Sequence, residues 1–258
     1  MELKGKVAIV TGAVGAIGRG ICKVLAAAGM HVAIADLLPE QCDRFADELN
    51  ASGASALGVA TDVTSRESTG QMARRVLEAF GRIDVLVNNA GIIRVAPLVD
   101  FKEEDFDKVI DVNLKGALFC AQAVVPDMMK NMNGRIINMS SVAGKRPGPL
   151  QSAYAATKHG LIGFTQVWCQ ELAPYHITVN AVCPGFIDSP MWSEHLGPAY
   201  APAFGVEPEK LIETVAKIHM PLGRPQTPEE IGEAVAYFCM ADSTSGQALV
   251  IDGGHAMW

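Results

Sequence analysis

The chain has 258 residues, of which 49% are hydrophobic and 19% charged, and a formal net charge of −7. This composition excludes a disordered chain and suits one α/β domain long enough to bury a core. The acidic balance argues against a general nucleic-acid binder, but a helix N-terminus can still hold an anionic cofactor without net positive charge.

Lys6–Val10 is a short β-branched run and reads as a buried strand. Ala16–Gly29 follows as a helix closed by a glycine. His31–Ala35 is a second strand, Pro39–Leu49 a helix with proline in its first turn, and Ala54–Ala60 a third strand. Ser65–Phe80 is helical with Ser65 as N-cap, and Ile83–Asn88 is a fourth strand. Glu103–Lys130 reads as a long helix interrupted at Gly116 and Pro126. Arg135–Ser140 is a fifth strand, Gln151–Ala173 a helix and Thr178–Val182 a sixth strand. Pro228–Met240 is a helix and Ala248–Asp252 a last strand. Strands and helices alternate, and the strands are continuous Val/Ile/Ala runs, as in a parallel sheet covered on both faces. The expectation is one doubly wound α/β domain over 1–258, with a seven-stranded, mostly parallel sheet. The stretch 186–227 is proline-rich and irregular, and is expected to form one or two short helices in a substrate flap.

The six cysteines are widely spaced with no Cys-x-x-Cys pair, which argues against a disulfide framework or zinc site. The apolar run near the N-terminus is too short for a signal peptide, and no stretch approaches 18 consecutive apolar residues. The expectation is a cytoplasmic protein without a membrane span.

Two stretches carry chemistry. The first is TGAVGAIG (11–18), between the first strand and the first helix. Gly12 suits a tight turn, while Gly15 and Gly18 suit close backbone approach to a pyrophosphate at the helix N-terminus. Asp36 closes the second strand, where a carboxylate accepts both adenosine ribose hydroxyls and repels a 2′-phosphate. Val14 and Leu37 beside it are uncharged, so NAD is expected over NADP. Asp62 and Val63 end the third strand and reach toward adenine by the same topology. The second stretch holds Ser141, Tyr154 and Lys158. Tyr154 and Lys158 are four apart and share a helix face. An ammonium beside a phenol lowers the phenol pKa toward working pH, which suits proton exchange with an alcohol or ketone. The loop after Ser141 could bring its hydroxyl to the phenol.

Taken together, TGAVGAIG, Asp36, Asp62-Val63, NNAG (88–91), Asn113, Ser141, Tyr154-x-x-x-Lys158 and Pro184-Gly185 resemble the short-chain dehydrogenase/reductase family over essentially the whole chain. The resemblance implies a Rossmann-type fold with Tyr154 as acid/base and Ser141 orienting the substrate oxygen. It implies that Lys158 lowers the Tyr154 pKa and binds the nicotinamide ribose, and that Asn113 holds a water in a proton relay. Asn113 could instead bridge a kink near Gly116. Gly12, Val14, Gly15, Ile17, Gly18, Asp36, Leu37, Asp62, Val63, Asn88, Asn89, Ala90 and Gly91 would line the cofactor, with Asn89 in a structural role. Pro184, Gly185, Ile187, Ser189 and Met191 would meet its nicotinamide end, with Ser189 standing where the family usually has Thr. No metal is expected.

Substrate contacts are expected from Ser141, Val142, Gln151, Phe186 and Trp192, with Gly144, Arg94, Met191 and His195 as further candidates. Lys145 and Arg146 either bind an anionic substrate or solvate a loop, and solvation is favoured. The flap resembles members acting on polyols, sugar alcohols, vicinal diols or hydroxyketones. The expected activity is NAD-dependent interconversion of such an alcohol and its ketone. The alternatives are a 3-oxoacyl-thioester reductase or a non-catalytic NAD(H) sensor. Family members are usually homotetramers, and Trp258 is expected at a subunit interface.

Overall fold

The strand-forming runs assemble into one sheet in a computed structural model that describes residues 1–256. The strands are β1 (Val7–Thr11), β2 (His31–Asp36), β3 (Ser55–Ala60), β4 (Val85–Asn88), β5 (Gly134–Met139), β6 (Ile177–Pro184) and β7 (Ala248–Ile251). Their spatial order is β3-β2-β1-β4-β5-β6-β7. Every registered pair is parallel, so the sheet is wholly rather than mostly parallel. Helices cover both faces, which explains the absence of polar alternation along the strands. Ala8 and Val10 of β1 face one core together with α1 (Ala16–Ala27), α2 (Pro39–Ala51) and α9 (Pro228–Met240). Val7 and Ile9 face the other, with Met72 and Val76 of α3 (Arg66–Phe80) and Cys120, Val124 and Met128 of α5 (Gly116–Lys130).

The chain reverses its direction of travel across the sheet between β1 and β4. Crevices at such switch points, beyond the carboxyl ends of the strands, are where open α/β sheets bind ligands. Asn89 and Thr11 tie the loops after β1 and β4 together at the floor of this one. Nδ2 of Asn89 donates to the carbonyls of Thr11 and Gly12 at 2.8 and 3.0 Å, and the Thr11 hydroxyl accepts from the amides of Asn89 and Ala90 at 3.0 and 3.1 Å.

The expected breaks in Glu103–Lys130 are absent. α4 (Glu103–Ile110) runs through a π-helical turn, Asp111–Lys115, into α5 without leaving helical geometry. Gly116 serves packing instead, since a Cβ there would lie 2.8 Å from Cγ2 of Val63. Among the described residues, 103–130 is the one helical stretch long and apolar enough to cross a membrane by length and composition. Its α5 apolar positions pack into the core.

The irregular stretch resolves into a π turn (Met191–Leu196), α7 (Gly197–Phe204), a 3-10 turn (Pro208–Lys210) and α8 (Leu211–His219). Ala201, Leu211 and Val215 form a small core of their own with Phe186, Trp192 and Tyr200 packed against it. A bridge between Ile187 and Gln226 joins the two ends of this flap. The expectation for Trp258 lies outside the described residues.

Candidate active site

The glycines after β1 divide by role. Gly12 has φ +61°, and a Cβ on it would fall 2.7 Å from the Ala90 backbone. A Cβ on Gly18 would fall 2.3 Å from the Gly12 carbonyl. Gly15 differs, because its Cβ would meet only that same carbonyl, at 3.4 Å. Packing of the chain therefore does not require Gly15, and its bareness leaves open the groove in front of the helix. The N-terminus of α1 has no side-chain cap and no acidic residue in its first turn. By contrast α9 starts with a full capping box between Thr227 and Glu230. Uncapped amides and a clear approach fit a diphosphate.

A groove of about 590 Å³ runs over this helix end. Gly12, Val14, Gly15, Ile17 and Gly18 line it, as do Asp36, Leu37, Asp62, Val63, Asn89, Ala90 and Gly91, with Ser189 and Met191 at the far end. The Asp36 carboxylate accepts from the Val14 amide at 3.2 Å and the Leu37 amide at 2.8 Å. Those bonds hold it at the groove while leaving it partly exposed. Asp62 accepts from the amide and hydroxyl of Thr64, so its side chain serves the turn that leads into α3.

The groove leads to a small cavity of about 90 Å³. Ser141, Tyr154 and Lys158 line it together with Pro184, Gly185, Ile187, Ser189 and Met191. Two segments deliver the reactive trio. Ser141 follows β5, while Tyr154 and Lys158 lie one turn apart on α6 (Ser152–Leu172). Lys158 is 4% exposed, and burial pushes its ammonium down from 10.5 to about 8. Its Nζ donates to the Met139 carbonyl at 2.7 Å and lies 5.4 Å from the Tyr154 ring centre. Burial raises the Tyr154 phenol, and the hydrogen-bonding side chain of Ser141 pulls it back down. Ser141 is thus one group that favours the phenolate. The lysine is turned to the strand carbonyl and itself suffers desolvation.

Asn113 sits behind this cavity, fully buried on the π turn. Its Oδ1 accepts from the Ile92 amide at 2.8 Å, and its Nδ2 donates to the Ile92 carbonyl at 2.9 Å and the Thr157 hydroxyl at 3.1 Å. The side-chain amide is thus committed to joining the segment after β4 to α6.

On the other side of Tyr154 opens a pocket of about 530 Å³, lined by Ser141, Val142, Gln151, Phe186 and Trp192 as expected. Arg94, Gly144 and His195 do not line it. Arg94 pairs with Asp105 at 3.2 Å, a Cβ on Gly144 would press 2.4 Å from the Ser140 hydroxyl, and His195 is exposed on its turn. Sequence reading missed Ile93, Leu196, Tyr200, Phe204, Leu211, Val215, His219 and His255. Leu211, Val215 and His219 recur every four residues, so a 3.6-residue period was available as a signal within the irregular stretch. Arg146 is exposed on its loop, as solvation requires, but it is not remote from the site. It lines this pocket and donates from Nη1 to the His255 carbonyl at 2.7 Å.

A family model for short chain dehydrogenases matches residues 6–197, and the chain belongs to that family. It is an oxidoreductase of this class, built around a nicotinamide cofactor and a small-molecule substrate. Among curated relatives, the 3-oxoacyl-acyl-carrier-protein reductase FabG of Thermotoga maritima is 43% identical over 256 residues, covering 98% of this chain and 99% of that protein. Oxidoreductase UcpA of Escherichia coli is 38% identical over 99% of this chain and 96% of its own length. A crystal structure of NAD+-bound xylitol dehydrogenase superposes with a TM-score of 0.91 at 32% identity, covering 98% of this chain and all of that one.

Proposed function

We propose that the protein is an NAD-dependent oxidoreductase that interconverts a secondary alcohol and its ketone. The observation that carries this reading is the convergence of Ser141, Tyr154 and Lys158 on one small cavity between the dinucleotide groove and the apolar pocket. Bound nicotinamide supplies or accepts the hydride, and the protein supplies placement and proton handling. Tyr154 takes the proton from the alcohol or returns it to the ketone oxygen. Ser141 holds that oxygen and draws the phenol toward ionisation. Lys158 would hold the nicotinamide ribose, and its cationic form would add to the field that favours phenolate. Asn113 acts as a positioning residue through Ile92 and Thr157.

Asp36 supports NAD over NADP, since its partly exposed carboxylate meets the ribose and opposes a 2′-phosphate. The pocket is walled mainly by aromatic and aliphatic side chains, with Gln151 among its few polar groups. That lining supports a diol, polyol or hydroxyketone with an apolar body more than a fully hydroxylated sugar alcohol. A second reading, 3-oxoacyl-thioester reduction, draws on the full-length similarity to the FabG relative and on the size and apolarity of the same pocket. We also propose a homotetramer. Supporting it are exposed apolar side chains on α6 (Val167), α9 (Tyr237 and Met240) and the edge strand β7 (Leu249), and sedimentation gives the mass that tests it.

The test of the activity is NADH formation across diols, hydroxyketones and secondary alcohols, with NADP⁺ and 3-oxoacyl thioesters in parallel. Turnover with NAD⁺ that falls by about 10²–10⁴-fold in Tyr154→Phe, with NAD binding kept, is the expected result. Undiminished turnover in that variant sinks the acid/base assignment, and consumption of thioesters alone selects the second reading.

A further inference from the structure

The apolar pocket has one chemically distinct wall. Arg146, His219 and His255 all line it, and no aspartate or glutamate does. This asymmetry is notable in a chain of net charge −7. The three groups are linked. Arg146 donates to the His255 carbonyl at 2.7 Å, and Nδ1 of His255 lies 3.3 Å from the His219 carbonyl. The two imidazoles pack with their ring centres 5.9 Å apart, and Phe186 and Phe204 flank them at 5.0 and 6.2 Å. Among the described residues none of the three makes an ion pair. The guanidinium has further donors in a planar fork suited to a carboxylate.

Ser141 and Tyr154 line the same pocket, with Phe186, Trp192, Leu211 and Val215 among its apolar walls. A substrate that meets both sets of groups carries a hydroxyl or carbonyl for Tyr154, an apolar body, and a negative group for the Arg146 wall.

We propose that the Arg146–His255–His219 wall binds an anionic headgroup, and that the substrate is a hydroxy or oxo acid whose carboxylate lies at this wall while its reacting carbon lies at Tyr154. The inference rests on the secondary-alcohol reading for the position of the reacting carbon. The headgroup site itself is independent of hydride transfer.

The test uses that independence. Hexanoate, hexanamide and hexyl phosphate are titrated against the NADH-loaded protein by calorimetry. Hexanoate has the acid and the apolar body but no hydroxyl, so it reports the headgroup site without turnover. The expected result is that hexanoate binds at least about tenfold more tightly than hexanamide, the scale of one charge-assisted hydrogen bond. Arg146→Gln should collapse that ratio and Arg146→Lys should retain most of it. Equal binding of hexanoate, hexanamide and hexyl phosphate overturns the proposal whatever the turnover assays give. A tenfold preference for hexyl phosphate over hexanoate overturns the carboxylate and makes the headgroup a phosphate ester. Retention of the full ratio in Arg146→Gln removes Arg146 from the site. Loss of the alcohol dehydrogenase reading leaves these ratios untouched, so the two failures are distinguishable.

Discussion

Lys158→Met separates what the site needs from what the fold prefers. The ammonium is almost wholly buried and its pKa falls from 10.5 to about 8. A drop of that size makes the charged lysine cost the native state about 3 kcal/mol at neutral pH. Methionine removes the buried charge and keeps the length of the side chain. It also leaves the Met139 carbonyl without its 2.7 Å donor. An orphaned buried acceptor costs about 1–2 kcal/mol, so the variant is expected to be more stable than the parent by about 1–2 kcal/mol at pH 7. The pH dependence has a definite sign. Below pH 8 the lysine is charged in both states and the penalty is present in full. Between pH 8 and 10.5 the native state releases its proton first, the unfolded state holds more protons, and the parent gains stability relative to the variant. Above that window the penalty is gone and the lost hydrogen bond leaves the variant the weaker of the two. Urea unfolding followed by tryptophan fluorescence at pH 7 and pH 10, at one protein concentration, measures both differences. A variant less stable than the parent at pH 7, by the same margin at pH 10, refutes the argument. Activity should fall sharply in the same variant, since the ribose and the phenolate lose their cation.

Three other substitutions probe separate parts of the site. Gly18→Ala forces a Cβ to 2.3 Å from the Gly12 carbonyl and should destabilise the fold by about 1–3 kcal/mol. Gly15→Ala, whose Cβ meets only a 3.4 Å contact, should change stability by less than about 1 kcal/mol yet weaken NAD binding. Thermal melts beside NAD titrations separate the two, and equal melting losses would sink the division of roles. Asp36→Ala should raise the Kd for NAD by about tenfold and move the NAD/NADP ratio of kcat/KM toward NADP; an unchanged ratio counts against Asp36 as the selector. Asn113→Ala strips three hydrogen bonds from a buried position and should cost about 2–3 kcal/mol in urea unfolding, whereas an unchanged midpoint would mean that the π turn holds without it.

Much of this molecule was legible locally. Strand runs, caps and the Gly12–Gly18 turn obey rules that act over a few residues, and the alternation of strands and helices implies a parallel sheet through the handedness of its connections. Tyr154 and Lys158 share a face because a helix repeats every 3.6 residues, whatever surrounds it. Local rules misled at Gly116, where a glycine reads as a helix break but serves the close approach of Val63 from the turn before α3. The surroundings of Tyr154 were not local either. Spacing alone pairs it with Lys158, while the fold turns that ammonium toward Met139 and brings Ser141 to the phenol from another element. The pocket was the least legible part. Ile93, Arg146, Tyr200, His219 and His255 come from separate segments, and they meet only because the flap folds back over the carboxyl ends of β4, β5 and β6. The sequence by itself determined the elements, the dinucleotide turn and the reactive residues, since each depends on neighbours within a turn or a strand. Only the tertiary structure decided which side chains wall the substrate pocket and which groups set the two pKa values, because burial and long-range contact exist only after the chain has packed.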